Sequence, residues 1–296
     1  MSKPQYLTLD DLEGKRDVWR KLQRYSFLGQ MKLFTSTVTF LLKLNLDKNT
    51  IYTMLYIGSA PGSNLYFILK MLEDYKIYVH LFDPNPHDKR LLTLENVTIH
   101  SELFTEKQYH SWTNIDNLIF ISDIRSIDKN AREPSLSNLL YDYNIQFRCY
   151  DAIKPKYASF KLRYPFPTEI DKSFKMEIPF GVEYLQICTG DSNERRLILT
   201  NYNPKKTTID YERCKDSEEM MAFYNNYKHK NRDYDACVFK YYIRKLFQKA
   251  NIDLDLSTTT DVNTLMYTIS NGIRDFRVLE LPFPKKIKQS DNKIRQ

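Results

Sequence analysis

Short apolar runs alternate with helix-like stretches between residues 53 and 123, and this alternation constrains the fold more than any other feature of the sequence. The runs are TMLYIG, YVHLFD, VTIH and LIFISD, at residues 53–58, 78–83, 97–100 and 118–123. Short runs rich in β-branched and aromatic residues predict strands, and SNLYFILKMLED at 63–74 predicts a helix after the first of them. Strands joined by helices indicate an α/β fold with a parallel sheet and right-handed crossovers.

The rest of the chain is predicted to extend this α/β unit. Apolar residues at helical spacing predict a helix over 28–46. Further strands are predicted at 146–150, 182–190 and 195–200, and further helices at 217–230, 234–250 and 261–273. No linker composition divides the chain, so we predict a polar arm at 1–27, one domain at 28–280 and a basic tail at 281–296.

The charge and cysteine content limit the class of protein. The 296 residues include 44 Lys and Arg against 37 Asp and Glu, which gives a net charge of +7 and favours an anionic partner. No apolar run approaches the roughly 20 residues that cross a bilayer, and residues 1–17 have no apolar signal region. We therefore expect neither a membrane protein nor a secreted one. The four cysteines form no C-x-x-C pair, so neither a metal site nor a disulfide framework is predicted, and a reducing compartment fits.

A glycine-bearing turn follows the first predicted strand and precedes a helix. It reads YIGSAPG and places Gly58 and Gly62 in a G-x-x-x-G spacing. Glycines here let the backbone approach a ligand closely, but a dinucleotide fold uses G-x-G-x-x-G, and Pro61 removes an N–H donor. The turn therefore favours S-adenosylmethionine, which has no phosphate, over a nicotinamide or flavin dinucleotide.

Two aspartates close later strands of the same predicted sheet. Asp83 ends the second strand, where a carboxylate accepts the hydroxyls of an adenosine ribose, and Asp123 ends LIFISD. An alternative interpretation of Asp83 is a turn or helix-capping residue in DPNP. Because ligands lie outside the carboxyl ends of parallel strands, we expect Gly58, Asp83 and Asp123 to line one crevice.

Several segments together carry a resemblance to a known family. YIGSAPG, ISDIRS at 121–126, REPSLSNLL at 132–140, KLRYPFP at 161–167 and NERRL at 193–197 occur in this order. They resemble the poxvirus cap-specific mRNA (nucleoside-2′-O-)methyltransferases, which double as the small processivity subunit of the viral poly(A) polymerase. The resemblance implies a Rossmann-like methyltransferase fold, with a mostly parallel central sheet flanked by helices, and S-adenosylmethionine as the cofactor.

The resemblance also implies a catalytic tetrad of Lys32, Asp123, Lys161 and Glu194. A ribose 2′-hydroxyl must lose its proton as it attacks a methyl group, and a base is most effective when its pKa lies near the working pH. The ordinary pKa of lysine, about 10.4, is too high, but burial and a neighbouring cation both lower it. We therefore predict Lys161 as the general base and Lys32 as its cationic neighbour, with the two carboxylates holding the ammonium groups.

Several other site residues follow from the resemblance alone. They include Glu212 and Phe166 for the cap, the latter stacking on the cationic 7-methylguanine. Departures from the family pattern are Asn85 in place of an arginine and Thr168 in place of an aspartate, and the second stacking aromatic is left open among Tyr6, Trp19 and Tyr184. The methyl-donor contacts are Gln30, Tyr56, Gly58, Gly62, Asp83, Phe104 and Asp123. The position of three arginines beside the tetrad predicts that they bind RNA phosphates, with surface charge as the alternative, and these are Arg125, Arg163 and Arg196.

The resemblance implies two partners and a compartment. The partners are capped, single-stranded mRNA and the catalytic subunit of a poly(A) polymerase, with which the chain would form a heterodimer. Poxviruses replicate in the cytoplasm, so the expected location is the cytoplasm of the host cell and the virion. One alternative is a non-catalytic RNA-binding clamp that only stimulates tail elongation, which would have no need of Lys161 beside a donor crevice. A dinucleotide oxidoreductase is disfavoured by the glycine spacing.

Overall fold

A computed structural model describes residues 7–19, 29–131, 133–189, 192–231, 234–250 and 269–272. Seven strands form one sheet in the order β3-β2-β1-β4-β5-β8-β7. The first five run parallel, β8 pairs antiparallel with β5, and β7 pairs antiparallel with β8. A separate pair, β6 and β9, is antiparallel. The strands are β1 (Ile51–Ile57), β2 (Lys76–Phe82), β3 (Val97–His100), β4 (Leu118–Ser122), β5 (Tyr157–Leu162), β6 (Lys175–Pro179), β7 (Val182–Leu185), β8 (Arg195–Leu199) and β9 (Lys206–Asp210).

Helices cover both faces of the sheet, as a parallel sheet requires. One apolar cluster lies between the sheet and α1, α2 and α6, and a second lies between the sheet and α4. The helices are α1 (Gly29–Lys43), α2 (Ser63–Met71), α3 (Glu106–Tyr109), α4 (Leu136–Ile153), α5 (Tyr211–Lys230) and α6 (Tyr234–Ala250). No helix in the described part of the chain is long and apolar enough to cross a bilayer. The mostly parallel sheet with flanking helices confirms the predicted fold class.

The predicted strand at 146–150 is wrong, because these residues lie inside α4. Ser135 begins this helix by accepting the N–H of Asn138, and Lys154 ends it in a left-handed conformation with φ +49°. Phe147 and Tyr150 pack on the second cluster together with Leu139 and Ile153. The buried face of α4 contributes several apolar residues to this short segment. Such a local concentration of apolar residues is also typical of a strand, which is why the sequence predicted one.

The strand that actually follows, β5, escaped prediction. In YASFKL, Ala158, Phe160 and Leu162 enter the second cluster, and the residues between them face the other side of the sheet. Lys161 is one of these, so the missed strand is the element that carries the predicted base.

The predicted domain boundaries fall largely on residues outside the described part. The described piece of the arm, residues 7–19, contains a short 3₁₀ turn (Asp10–Leu12) and buries Leu7 and Leu12. The N–H of Leu7 donates to the hydroxyl of Tyr234 at 3.1 Å. The basic tail at 281–296 and most of the predicted helix at 261–273 lie outside the described residues, so the limits 1–27, 28–280 and 281–296 stay a prediction.

Candidate active site

The candidate site lies at the carboxyl edge of the sheet, where the strand order reverses between β1 and β4. In open α/β sheets this is the position of the ligand crevice. Gly58 follows β1 and donates its N–H to Phe82 at 2.9 Å, and Asp123 follows β4 and donates its N–H to Ile57 at 3.0 Å. Because Asp83 follows β2 directly, the structure brings all three predicted strand-end residues to this edge.

The turn after β1 has a shape that only glycine tolerates. Gly58 has φ +70°, and a Cβ atom there would lie 2.7 Å from the backbone nitrogen of Ile124. Gly62, with φ +67°, begins α2, and a Cβ atom there would lie 3.1 Å from the carbonyl oxygen of Ser59. Two chain segments thus approach each other at the crevice without side chains between them. We call this turn, residues 58–62, the glycine cradle, and its glycines let it pack directly on the segment that carries Asp123.

Asp83 holds the glycine turn, which is one of the two roles that the sequence left open. Its Oδ2 accepts the backbone N–H of Ala60 in the glycine turn at 3.2 Å. Its Oδ1 accepts both the backbone N–H and the side-chain amide of Asn85, at 2.9 and 2.8 Å. A carboxylate has about four acceptor positions, so these bonds leave room for one ribose hydroxyl. Accepting the second would require the Asn85 amide to turn away.

The other predicted methyl-donor contacts lie on three different elements: α1, β1 and the segment beyond β3. Gln30, at the start of α1, approaches the backbone N–H of Asn64 in α2 at 3.5 Å through its Oε1. Tyr56 is buried, and burial together with the Asp123 charge raises the pKa of its phenol, which stays neutral. Phe104 lies beyond β3 and packs edge-on against Phe82, with ring centroids 4.9 Å apart.

The four predicted catalytic residues converge on one cluster. The Nζ of Lys32 donates to Glu194 Oε1 at 2.6 Å. The Nζ of Lys161 lies 3.6 Å from Asp123 Oδ1 and 3.8 Å from Glu194 Oε2. All four side chains are at least 84% buried, since the most exposed of them, Lys161, keeps 16% of its surface. Lys32 is therefore held tightly by one carboxylate, while Lys161 sits loosely between two.

Burial and charge act against each other in this cluster. Burial alone would raise the pKa of Glu194, but Lys161, Lys32 and Arg196 lower it to about 2. Burial lowers the pKa of Lys32; Glu194 opposes this shift and the charge of Lys161 adds to it. Glu194 is consequently ionised throughout the neutral range and holds two cations.

Arg196 is a fifth member of the cluster, and its predicted contact with RNA does not hold. It lies opposite Lys161 in the β5–β8 register, and its side chain is only 3% exposed. Its Nη2 donates to Asp123 Oδ1 at 2.5 Å and its Nη1 to the Ser122 carbonyl at 3.2 Å. Burial opposes the charge, but Asp123 keeps the pKa of the guanidinium above its ordinary value. Arg196 therefore neutralises Asp123 and is not available to phosphates.

A pocket of about 360 Å³ opens beside the cluster. Phe166 and the exposed Arg125 line it, and Arg163 lies with its guanidinium 4.7 Å from the centre of the Phe166 ring. The pocket thus runs from the charged cluster to an aromatic ring. The cluster residues in its wall are Lys32, Lys161 and Glu194. Within the described residues, no group of three or more His, Cys, Asp or Glu side chains is arranged to hold a metal ion.

A family model described as "Poly A polymerase regulatory subunit" matches residues 1–269. The chain belongs to the poly A polymerase regulatory subunit family. It is 30% identical over 269 residues to a protein of fowlpox virus named cap-specific mRNA (nucleoside-2′-O-)-methyltransferase, covering 83% of this chain and 85% of that protein. A protein of the same name from myxoma virus is 29% identical over 228 residues, which cover 70% of this chain and 66% of the myxoma protein. Among solved structures, the chain resembles a ribosomal RNA methyltransferase from Plasmodium falciparum with 15% identity and a TM-score of 0.37, over 60% of this chain and 98% of that one.

This member of the poly A polymerase regulatory subunit family departs from the pattern beside Phe166. Thr168 is exposed, whereas the next residue, Glu169, folds back and accepts the N–H of Phe166 at 2.9 Å. Its carboxylate also lies 3.5 Å from the Nη2 of Arg163. A carboxylate therefore lies close to the ring, displaced by one position from the site where the resemblance expects it.

The other predicted cap residues are absent from the described lining of the pocket. Glu212 is exposed on the first turn of α5 and does not line the pocket. Trp19 packs against the first apolar cluster, and Tyr184, which packs there too, lies 5.3 Å from the Nζ of Lys43. Tyr6 lies outside the described residues. The second stacking aromatic is thus still open.

Gln186 is a site residue that sequence reasoning missed. It is buried directly after β7, next to the catalytic cluster. With the amide oriented to satisfy its neighbours, its nitrogen donates to Glu194 Oε1 at 3.1 Å and its oxygen accepts from Arg196 Nε at 2.9 Å. Gln186 therefore links the two halves of the cluster. No local motif marks it, because its partners are brought to it by the sheet.

Glu194 should make the stability of the protein depend on pH. Its folded pKa of about 2 lies below the ordinary 4.5, so it contributes stability that is present above pH 4.5 and is lost as the pH falls toward 2. The difference corresponds to about 3 kcal/mol. We expect Glu194→Gln to lower the free energy of unfolding by about this amount at pH 7 and by about 1.4 kcal/mol at pH 3, because at pH 3 the carboxyl of the unfolded state is already protonated while the folded carboxylate is still mostly charged.

Urea titrations of the wild type and Glu194→Gln at both pH values check this expectation. Glu177→Gln is the control, since it alters an exposed glutamate on β6. If the difference in the free energy of unfolding between wild type and Glu194→Gln stayed constant from pH 7 to pH 3, the lowered pKa of Glu194 would be contradicted.

Proposed function

We propose that this protein transfers a methyl group from S-adenosylmethionine to the 2′-oxygen of the first transcribed nucleotide of 7-methylguanosine-capped mRNA. The observation that carries the proposal is the cluster of Lys32, Asp123, Lys161 and Glu194 between a glycine cradle and an open pocket. The names of the fowlpox and myxoma relatives support the same reaction.

The contacts of the three buried cations support Lys161 as the base that accepts the hydroxyl proton. Lys32 and Arg196 each make a contact of 2.6 Å or less to a carboxylate, which fixes them in place. The carboxylate oxygens nearest to Lys161 are 3.6 and 3.8 Å away, and its side chain lines the pocket. Lys161 is therefore the cation that a ribose hydroxyl can approach and form a hydrogen bond with.

The neighbouring charges prepare Lys161 for this role in two ways. Asp123 and Glu194 orient the Lys161 side chain from two sides, whereas Lys32 and Arg196 each bind one of these carboxylates at 2.6 Å or less. The net effect is a lysine held in position without a short ion pair of its own. As a neutral amine, after it has released its own proton to solvent, Lys161 can orient the 2′-hydroxyl and take the hydroxyl proton as the oxygen attacks the methyl group.

The glycine turn and Asp83 fit the methyl donor. Gly58 lets the turn after β1 pack on the segment that carries Asp123, and Asp83 keeps an acceptor position for a ribose hydroxyl beside this turn. S-adenosylmethionine would supply an electrophilic methyl group at this place. Asp123 lies between this turn and Lys161, so the donor and acceptor sides meet there.

Phe166 is proposed as one stacking surface for the 7-methylguanine base. The guanidinium of Arg163 lies 4.7 Å from the centre of this ring, and Glu169 lies beside it. A flat cationic base gains about 0.5 to 2 kcal/mol from an aromatic ring. We propose that Arg125 and Arg163 contact the phosphates of the substrate.

Replacing Phe166 with alanine should reduce discrimination between methylated and unmethylated caps. We expect affinity for the 7-methylguanosine cap to fall about 2- to 30-fold, the equivalent of the lost cation–π energy, with little change for an unmethylated guanosine cap. Competition binding with the two cap analogues measures the ratio. Phe180→Ala is the control, because this exposed phenylalanine belongs to another surface. An unchanged ratio in Phe166→Ala would refute the stacking role.

The family membership supports a second role as the regulatory subunit of a poly(A) polymerase heterodimer. Among the described residues, no contact identifies the docking surface. Tail extension by a polymerase catalytic subunit with and without this protein tests this role separately from methyl transfer.

The direct test of the reaction is transfer of labelled methyl from S-adenosylmethionine to a short capped RNA, followed by nuclease digestion that locates the label. Label on the 2′-oxygen of the first nucleotide is the expected result. Binding of S-adenosylmethionine without any methyl transfer would favour the alternative, a non-catalytic RNA-binding protein that only stimulates tail elongation.

A further inference from the structure

The outer wall of the pocket is formed by the connection between β7 and β8. Thr189, Ser192 and Asn193 line the pocket from this connection, and Glu194 follows them. The Oγ of Ser192 accepts the N–H of Glu194 at 3.1 Å. The position of this wall therefore affects both the width of the pocket and the placement of a catalytic carboxylate.

Three polar side chains from two helices hold the connection from behind. The Nδ2 of Asn225, in α5, donates to the carbonyl of Ser192 at 3.1 Å. The Nζ of Lys228, near the end of α5, donates to Thr189 Oγ1 at 2.8 Å. Asp235, in the first turn of α6, accepts the N–H of Cys188 at 3.1 Å. We call Asn225, Lys228 and Asp235 the helix-corner clamp.

The clamp binds a backbone segment that has an uncommon conformation. Cys188 has φ +57°, a left-handed conformation that residues other than glycine rarely adopt. Such conformations persist where surrounding contacts enforce them. Asn225 is fully buried and Lys228 nearly so, which makes their hydrogen bonds costly to break. The buried hydrogen bonds of the clamp therefore hold the wall of the pocket in place.

We propose that the helix-corner clamp is a set of positioning residues for the RNA substrate. The inference rests on the proposed function, because it assigns this pocket to the acceptor RNA. The donor cradle is built from other elements, the β1–α2 turn and the end of β2. Loosening the clamp should therefore weaken RNA binding and leave donor binding intact.

Two substitutions at one clamp position separate this role from general stability. Asp235→Ala removes the acceptor of the Cys188 N–H, whereas Asp235→Asn keeps an amide oxygen that can accept it. For Asp235→Ala we expect capped-RNA affinity to fall about 5- to 10-fold, as for the loss of one hydrogen bond to a charged group, with S-adenosylmethionine affinity within twofold. Asp235→Asn should recover most of the loss. Asp216→Ala, at an exposed aspartate on α5, is the matched control.

The readouts are the dissociation constant of a capped RNA by fluorescence anisotropy, the dissociation constant of the donor by calorimetry, and KM and kcat for transfer. A rise in KM for RNA alone, rescued in Asp235→Asn, supports the clamp. Unchanged RNA affinity in Asp235→Ala, or an equal loss of donor and RNA affinity that asparagine does not rescue, overturns it. Because RNA affinity is measured without turnover, a wild type that binds RNA but transfers no methyl refutes the proposed reaction while the clamp is still judged by binding.

Discussion

Replacing Lys161 with alanine is expected to lower kcat for methyl transfer by about 10²- to 10⁴-fold, the usual contribution of a general base. Affinity for S-adenosylmethionine should change less than twofold, because the glycine turn and Asp83 hold the donor from the other side of Asp123. The reason for a large effect is geometric. Lys32 and Arg196 are both occupied by short ion pairs, so neither can take over the contact with the hydroxyl.

Two further variants make this expectation specific. Lys161→Arg keeps the charge between Asp123 and Glu194 but cannot give up a proton near neutral pH, so it should be nearly as inactive as alanine. Lys156→Ala removes an exposed lysine just before the same strand, and we expect it to be fully active. The assay is single-turnover transfer to capped RNA, with donor binding measured in parallel. Transfer by Lys161→Ala at the wild-type rate would remove Lys161 from the mechanism.

The part of the fold that the sequence predicts is the part where burial is continuous. Strands β1 and β4 are buried over nearly their whole length, so nearly every residue in them is apolar, and β2 ends in buried apolar residues, so all three stand out from their surroundings. In β5, by contrast, Ser159 and Lys161 face the site between apolar residues. Polar residues on the crevice side thus interrupt the apolar run in β5, and the sequence therefore did not predict this strand.

In the candidate site, too, local sequence predicts some features and not others. The glycine spacing and the strand-end aspartates predict a crevice from local sequence, and the resemblance supplies the tetrad. The pairing of Arg196 with Asp123 joins residues 73 positions apart and depends on the antiparallel β8 beside β5. The bridge formed by Gln186 depends on the return of the chain from β7 into β8. No local pattern encodes such pairing, and Arg196 therefore resembled a surface cation in the sequence.

The second large effect is expected at the glycine turn, where Gly58→Ala should weaken S-adenosylmethionine binding at least about 10-fold. A left-handed conformation costs a non-glycine residue about 1 kcal/mol. The added Cβ atom would in addition lie 2.7 to 2.8 Å from backbone atoms of Asp123 and Ile124. Backbone cannot yield as a flexible side chain does, so the turn and the segment that carries Asp123 must move apart. The donor cradle and a catalytic carboxylate are then displaced together.

Gly14 provides a matched control, because it has the same φ of +70° with nothing within 4 Å of its Cβ position. Gly14→Ala therefore carries the conformational cost without the clash, and we expect about 1 kcal/mol lower stability with unchanged donor binding. Should Gly58→Ala fold too poorly to assay, Gly62→Ala tests the same cradle, since its Cβ would meet Ser59 oxygen and a Leu91 methyl at a milder 3.1 Å. Calorimetric titration with S-adenosylmethionine, alongside thermal unfolding, distinguishes the two costs. If both crevice variants bound the donor as tightly as Gly14→Ala, the shape of the glycine turn would not contribute to the donor site.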